Sequence, residues 1–241
     1  MIPLIITSAD NQKFRSYLRL KQKKYRYQTG LFLAEGPHLV NEAAKARRLE
    51  AVVSTEPFTD IKVDNLVVSA SLFASLSDVE TPQGVIGICK MADNVLLGDR
   101  ILMLDGISDP GNLGTLIRSA KAFGFKTFVF ENIADPYSPK VVRATQGAIF
   151  GLGFLKADLI EFIGKHREYE YVGTDVKTGL PLSEFNPNGG KLALILGNEA
   201  NGVREEILNK TGVNIKIEMD GMESLNVGVA GGILMYALRR K

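Results

Sequence analysis

Apolar residues in the second half of the chain come mainly as short continuous runs. Residues 101–105 (I-L-M-L-D), 126–131 (K-T-F-V-F-E), 171–175 (Y-V-G-T-D) and 192–197 (L-A-L-I-L-G) each end on a polar residue or glycine. Runs of this kind are typical of strands buried on both faces. Helical spacing falls between them. Leu113, Leu116, Ile117 and Ala120 stand at i, i+3, i+4 and i+7, with Gly124 as a stop and Asn112 as a candidate cap. Ser138-Pro139 has the form of an N-cap followed by a first helical residue, and a further helix is expected near 158–167. A last β-type run ends at Met219, a glycine turn carries Glu223, Ser224 and Asn226, and a small-residue helix follows. The repeated order of strand then helix predicts an α/β fold with a mainly parallel sheet and helices on both faces.

The first half has a different pattern. A basic helix near 10–20 precedes L-F-L-A-E, a helix over about 38–48, the β-branched runs A-V-V-S and L-V-V-S, a helix at S-L-F-A-S-L and a strand G-V-I-G-I-C entered through the turn Thr81-Pro82-Gln83-Gly84. The following M-A-D-N-V-L-L-G-D-R reads as a linker. The expected boundary lies between Ala92 and Leu97 and divides the chain into domains of residues 1–95 and 96–241.

With 241 residues, 45% hydrophobic and 23% charged, the chain has the composition of one or two globular domains rather than of a disordered protein. The opening M-I-P-L-I-I-T-S-A-D has no basic leader, and no later segment has the length of a membrane span, so a cytoplasmic protein with no membrane partner is expected. Cys89 stands alone in an apolar strand, which favours a buried inert thiol. His38 and His166 are isolated, and no metal site is expected.

Net charge is +2, but residues 10–48 carry ten Lys and Arg against three acids. Phe14, Tyr17, Tyr25, Tyr27 and Phe32 interleave with this basic run, a composition suited to neutralising phosphate and stacking on bases; a solvated helix face would read the same way.

Three strand ends carry candidate chemistry. The first opens D-G-I-S-D-P-G-N-L-G, with Arg118 on the helix that follows, about 140° from Leu113 at about 100° per residue. Arg118 is therefore either solvated or aimed at a ligand. This loop also imitates a dinucleotide-binding fingerprint, with Glu131 at the end of the next strand, but its glycines fall as G-x-x-x-x-G-x-x-G and a nicotinamide enzyme is the minor alternative. The second, L-I-L-G-N-E-A-N-G, delivers Gly197, Glu199 and Gly202, although Asn201-Gly202 also fits an ordinary turn. In the third, Ser224 and Asn226 could be a cap and a first-turn residue, and Gly228, Gly231 and Gly232 a close helix contact. Polar groups and glycine at three strand ends of one parallel sheet point to a ligand crevice.

The motifs N-L-G-T-L-I-R-S-A-K-A-F-G (112–124), L-G-N-E-A-N-G (196–202) and I-E-M-D-G-M-E-S-L-N-V-G-V-A (217–230) closely resemble those of the SpoU, or TrmH-like, RNA 2′-O-ribose methyltransferases of the SPOUT class. F-L-A-E-G-P-H-L-V-N-E-A and T-P-Q-G-V-I-G resemble the family's L30e-like substrate-binding domain. Two features depart from the family pattern. Glu218 stands where members commonly have proline, and Met222-Glu223 supplies two residues where three are usual.

The resemblance implies a small L30e-like domain followed by a SPOUT catalytic domain with a C-terminal trefoil knot, which general topology rules would not suggest. It implies S-adenosylmethionine as cofactor, held at Thr174, Leu196, Gly197, Asn198, Gly202, Ile217, Met219 and Leu225. It also implies a catalytic set of Arg118, Asn112, Glu199, Ser224 and Asn226. RNA would be selected by the amino-terminal surface with Lys21, Lys23, Lys24 and Arg26. The expected substrate is ribosomal RNA ahead of transfer RNA, and the expected assembly is a homodimer through the knotted region. A non-catalytic RNA-binding protein of the same fold is the remaining alternative, opposed by the presence of all five polar residues.

Overall fold

The computed structural model describes residues 3–59, 61–93 and 95–240. Residues up to Asp93 together with 135–150 form one compact unit, and the remainder form a second. The expected linker at 92–97 contains Asn94, which lies outside the described residues.

The first unit contains β1 (Leu4–Ile6), β2 (Leu31–Glu35), β3 (Leu49–Ser54), β4 (Asp64–Val68) and β5 (Val85–Lys90), in the order β1-β4-β3-β5-β2. Pairing is parallel across β1, β4 and β3 and antiparallel where β5 meets β3 and β2. Its helices are α1 (Gln12–Leu18), α2 (Lys23–Thr29), α3 (Pro37–Lys45) and α4 (Ala70–Leu76). Phe14 and Tyr17 of α1 and Phe73 and Leu76 of α4 pack with Leu33, Val53, Ile86 and Ile88 of the sheet. The aromatic residues of the basic run therefore divide: Phe14, Tyr17 and Phe32 are core, whereas Tyr27 is exposed and Tyr25 half-buried. Cys89 is fully buried, and burial pushes its thiol well above the ordinary value, as expected of an inert thiol.

The second unit is built on β6 (Arg100–Asp105), β7 (Thr127–Glu131), β8 (Gly153–Lys156), β9 (Tyr169–Thr174), β10 (Leu180–Pro181), β11 (Lys191–Gly197) and β12 (Val213–Lys216). All seven pair in parallel in the order β10-β12-β9-β11-β6-β7-β8. The helices are α5 (Pro110–Phe123), α7 (Leu159–Lys165), α8 (Glu205–Leu208) and α9 (Val227–Ala237); α6 (Pro139–Ala144) lies in the segment that belongs to the first unit and is capped by Ser138 as expected. Apolar side chains of α7 and α8 cover one sheet face with Ile101, Met103, Val129, Ala193 and Ile195. On the other face α9 packs close to α5 and β11: a Cβ at Gly231 would lie 2.3 Å from Leu116 and 2.8 Å from Leu196.

Two element limits differ from expectation. α5 begins at Pro110, with Asp109 rather than Asn112 as its N-cap, because an Asp-Pro pair supplies both the cap oxygen and the preset first residue. β12 stops at Lys216 rather than Met219, because its neighbour β9 ends at Thr174, opposite Ile215, and β10 offers only two residues.

Candidate active site

Register brings the strand ends of the second unit level. Gly197 lies opposite Asp105, and Asp105 opposite Glu131. Beyond Gly197 the chain turns tightly, with reciprocal main-chain hydrogen bonds between Asn198 and Gly202 at 3.0 and 2.9 Å. Only glycine fits at the base of this turn: a Cβ on Gly197 would lie 2.0 Å from the Gly202 carbonyl carbon, and Gly202 itself has φ +71°. The Asn198 amide donates to the Gly106 carbonyl at 2.9 Å and accepts from the N–H groups of Ala200 and Asn201, so its side chain builds the loop.

Arg204, at the far end of that loop, holds it to the sheet. Its Nε donates to Asp105 at 2.9 Å, one terminal nitrogen to Glu131 at 2.6 Å and the other to Glu206 at 2.9 Å, while its main-chain N–H donates to Asp105 at 2.9 Å. Glu131 is thereby engaged with Arg204, which leaves the dinucleotide reading without its ribose-binding acid.

A cleft of about 630 Å³ opens at the carboxyl ends of β9, β11 and β12. Thr174, Leu196, Gly197, Asn198, Gly202, Ile217, Met219 and Leu225 all line it, as do Glu199, Ser224 and Asn226. Asp175, Val176 and Lys177 also line it, and their one sequence signal is their position directly after β9. The Thr174 hydroxyl donates to the Ile195 carbonyl at 3.0 Å, so its main chain is the part left to face a ligand.

Three of the five expected catalytic residues are joined at the rim. Asn112 Nδ2 donates to Glu199 at 3.0 Å, and Asn226 Nδ2 donates to Asn112 Oδ1 at 2.8 Å. Asn226 Oδ1 in turn caps α9, accepting from Gly228 N at 2.9 Å and Val229 N at 3.3 Å. The cap is therefore Asn226 rather than Ser224. Glu199 also accepts from the N–H groups of Asp109 at 3.4 Å and Ser108 at 3.5 Å, at the start of α5, where the helix dipole favours negative charge. Partial burial acts to raise its pKa, but the hydrogen bonds from Asn112 and these main-chain groups outweigh it and hold the carboxyl below its ordinary value. Arg118 on α5 and Ser224 are exposed, and neither side chain has a hydrogen-bond or ion-pair partner among the described residues.

The four expected RNA-binding cations separate. Arg26 is 3% exposed, pairs with Asp135 and donates to the carbonyls of Leu20 and Lys21 at 2.8 Å, so it is a structural residue and not a phosphate contact. Lys21 is engaged with Asp78 at 2.9 Å and with the Ser75 and Ser77 carbonyls. Lys23 and Lys24 remain exposed, lying over the rings of Tyr27 and Tyr25 at 5.9 and 6.0 Å.

A parallel α/β sheet with a cleft at the carboxyl ends of its strands has the arrangement in which open α/β folds hold their ligands. Residues 99–236 match the SpoU rRNA Methylase family, and residues 11–87 match the MRM3-like substrate binding domain. The chain belongs to the SpoU rRNA methylase family. It is 36% identical to the 23S rRNA (guanosine(2553)-2′-O)-methyltransferase RlmP of Bacillus subtilis, over 97% of this chain and 98% of that one. It is 30% identical to the 23S rRNA (guanosine-2′-O-)-methyltransferase RlmB of Coxiella burnetii, over 84% and 86%. Its fold matches the crystal structure of an AdoMet-bound rRNA methyltransferase from Sinorhizobium meliloti with a TM-score of 0.85 at 28% identity, covering 97% of this chain and 96% of that one.

Proposed function

We propose that this chain methylates a ribose 2′-hydroxyl of ribosomal RNA using S-adenosylmethionine. The observation that carries this reading is the hydrogen-bonded series Glu199, Asn112, Asn226 at the rim of the cleft, in a chain of the SpoU family. The cleft suits the cofactor. Its volume of about 630 Å³ is within the range of small-molecule sites. The main-chain groups from Met219 to Leu225 have no hydrogen-bond partner among the described residues and remain available to adenine and methionyl groups. Thr174, residues 196–202 and residues 217–225 would hold it. When bound, the cofactor supplies an activated sulfonium methyl.

The protein's contribution is alignment and charge. A guanidinium offers five donors and no acceptor, so Arg118 does not serve as a base; it grips a phosphate next to the ribose and stabilises negative charge developing on the 2′-oxygen. Glu199, ionised and held by α5, fixes Asn112, and Asn112 with Asn226 fixes the start of α9 beside the cleft. Ser224 is the free hydroxyl available to the ribose. Arg118→Ala should lower turnover at least about a hundredfold while cofactor affinity, read by calorimetry, stays within a few-fold; a large loss of cofactor binding would assign Arg118 to the cofactor instead.

The amino-terminal unit selects RNA through Lys23 and Lys24, with Tyr25 and Tyr27 as stacking surfaces. The relatives' ribosomal substrates and the substrate-binding-domain match favour ribosomal over transfer RNA, acting in the cytoplasm. The active form is a homodimer through α9. Its glycine face is taken up within the chain against α5, while Val229, Ile233 and Tyr236 form an exposed apolar stripe at helical spacing. The last strands and helix form the trefoil knot of the family. Among the described residues no helix is long and apolar enough to cross a membrane.

A further inference from the structure

One wall of the cleft is a segment that the rest of the fold barely holds. Met219, Glu223, Ser224 and Leu225 line the cleft, yet the main chain of 219–225 makes no hydrogen bond to the described residues. The sheet beside it has already run out. β10 pairs with β12 only at Leu180 opposite Ile215 and Pro181 opposite Lys216, and proline has no N–H to donate. Past that point the connection is made by a side chain. Glu218 accepts from the main-chain N–H of Leu182 through Oε2 at 3.1 Å and of Ser183 through Oε1 at 3.2 Å. Its neighbours on either side, Ile217 and Met219, both line the cleft.

We propose that Glu218 is a positioning residue for the cofactor: its carboxylate, clamped on two successive amides of the turn after β10, fixes where the 219–225 wall begins. This inference rests on the methyltransferase reading. A carboxylate taking one hydrogen bond on each oxygen has a defined orientation, and charge-assisted bonds are the stronger kind. With the clamp released, the ordering of 219–225 would be set against cofactor binding, because among the described residues no hydrogen bond or ion pair other than those of Glu218 restrains the start of the segment. Glu218 does not itself line the cleft, so the chemical step should not depend on it once cofactor is bound.

The test compares Glu218→Ala and Glu218→Gln with wild type in the full-length protein. Three readouts are needed: affinity for S-adenosylmethionine by calorimetry, kcat at saturating cofactor on ribosomal RNA from cells lacking the protein, and hydrogen exchange of the Leu182 and Ser183 amides. The expected result is a Kd raised about tenfold by alanine, with glutamine intermediate because it keeps one acceptor oxygen, and kcat within about twofold of wild type. Both variants should speed exchange at Leu182 and Ser183. Unchanged Kd, or a fall in kcat without a change in Kd, overturns the proposal. So does unchanged exchange, because the clamp would then be absent in solution. Should the alanine variant not fold, E218Q carries the same comparison. If wild type binds no cofactor, the methyltransferase reading fails and this inference with it; the exchange data, which need no cofactor, separate that failure from the absence of the clamp.

Discussion

Asn112 uses both ends of its side-chain amide, donating to Glu199 and accepting from Asn226. A carboxylate at this position could not donate to Glu199, and an aliphatic side chain could do neither, whereas the amide does both at once. The chemistry of Glu199 then follows. Its folded-state pKa is depressed, so the folded protein binds that proton less readily than the unfolded chain does. The resulting stabilisation is present above its ordinary value of 4.5 and is lost as pH falls through the lower folded value. Urea denaturation followed between about pH 3 and 6 should show wild type losing stability more steeply on descent than Glu199→Gln. Parallel curves would mean that Glu199 does not interact with α5 in solution. The residue types at this site were legible in the sequence. Their partners were not, because Asn112 and Glu199 are 87 positions apart and only the sheet register brings them together.

At the scale of elements, the α5–α9 contact decides how the terminal helix lies beside the cleft. Gly231 is where the two helices and β11 come closest, whereas a Cβ on Gly232 would meet only the Ser119 hydroxyl at 3.4 Å. Gly231→Ala should therefore cost about 1–3 kcal/mol through overpacking, and Gly232→Ala should be near neutral, since alanine's better helix propensity, worth up to about 1 kcal/mol, offsets a mild contact. Thermal denaturation of the two variants checks the pair; equal effects would contradict this packing. The sequence displayed the glycines but not their partner, because a small-residue face suits any close neighbour. The long apolar strands were legible because burial on both faces leaves no other pattern. β8 and β10 were not, being short and only half-buried or exposed. The Arg204 clamp was also hidden: its contact with Asp105 spans 99 positions.

For the whole molecule, the amino-terminal unit offers RNA fewer free charges than its sequence contains. Charge alone places Lys21 and Arg26 on the surface with their neighbours, whereas the fold turns Arg26 inward to Asp135 and holds Lys21 at Asp78. Replacing Lys23 and Lys24 together by alanine should weaken RNA binding and reduce the slope of log K against log salt by about 1 to 2, as for two lost phosphate contacts. An unchanged slope would make this face merely solvated. The central claim is methyl transfer to ribose, and the measurement that tests it most directly is transfer of labelled methyl from S-adenosylmethionine to ribosomal RNA from cells lacking the protein, with the label then located on the nucleotide. Label on a ribose 2′-oxygen of ribosomal RNA, absent with Arg118→Ala, is the predicted result. Label on a base, label confined to transfer RNA, or no label despite cofactor binding would contradict it.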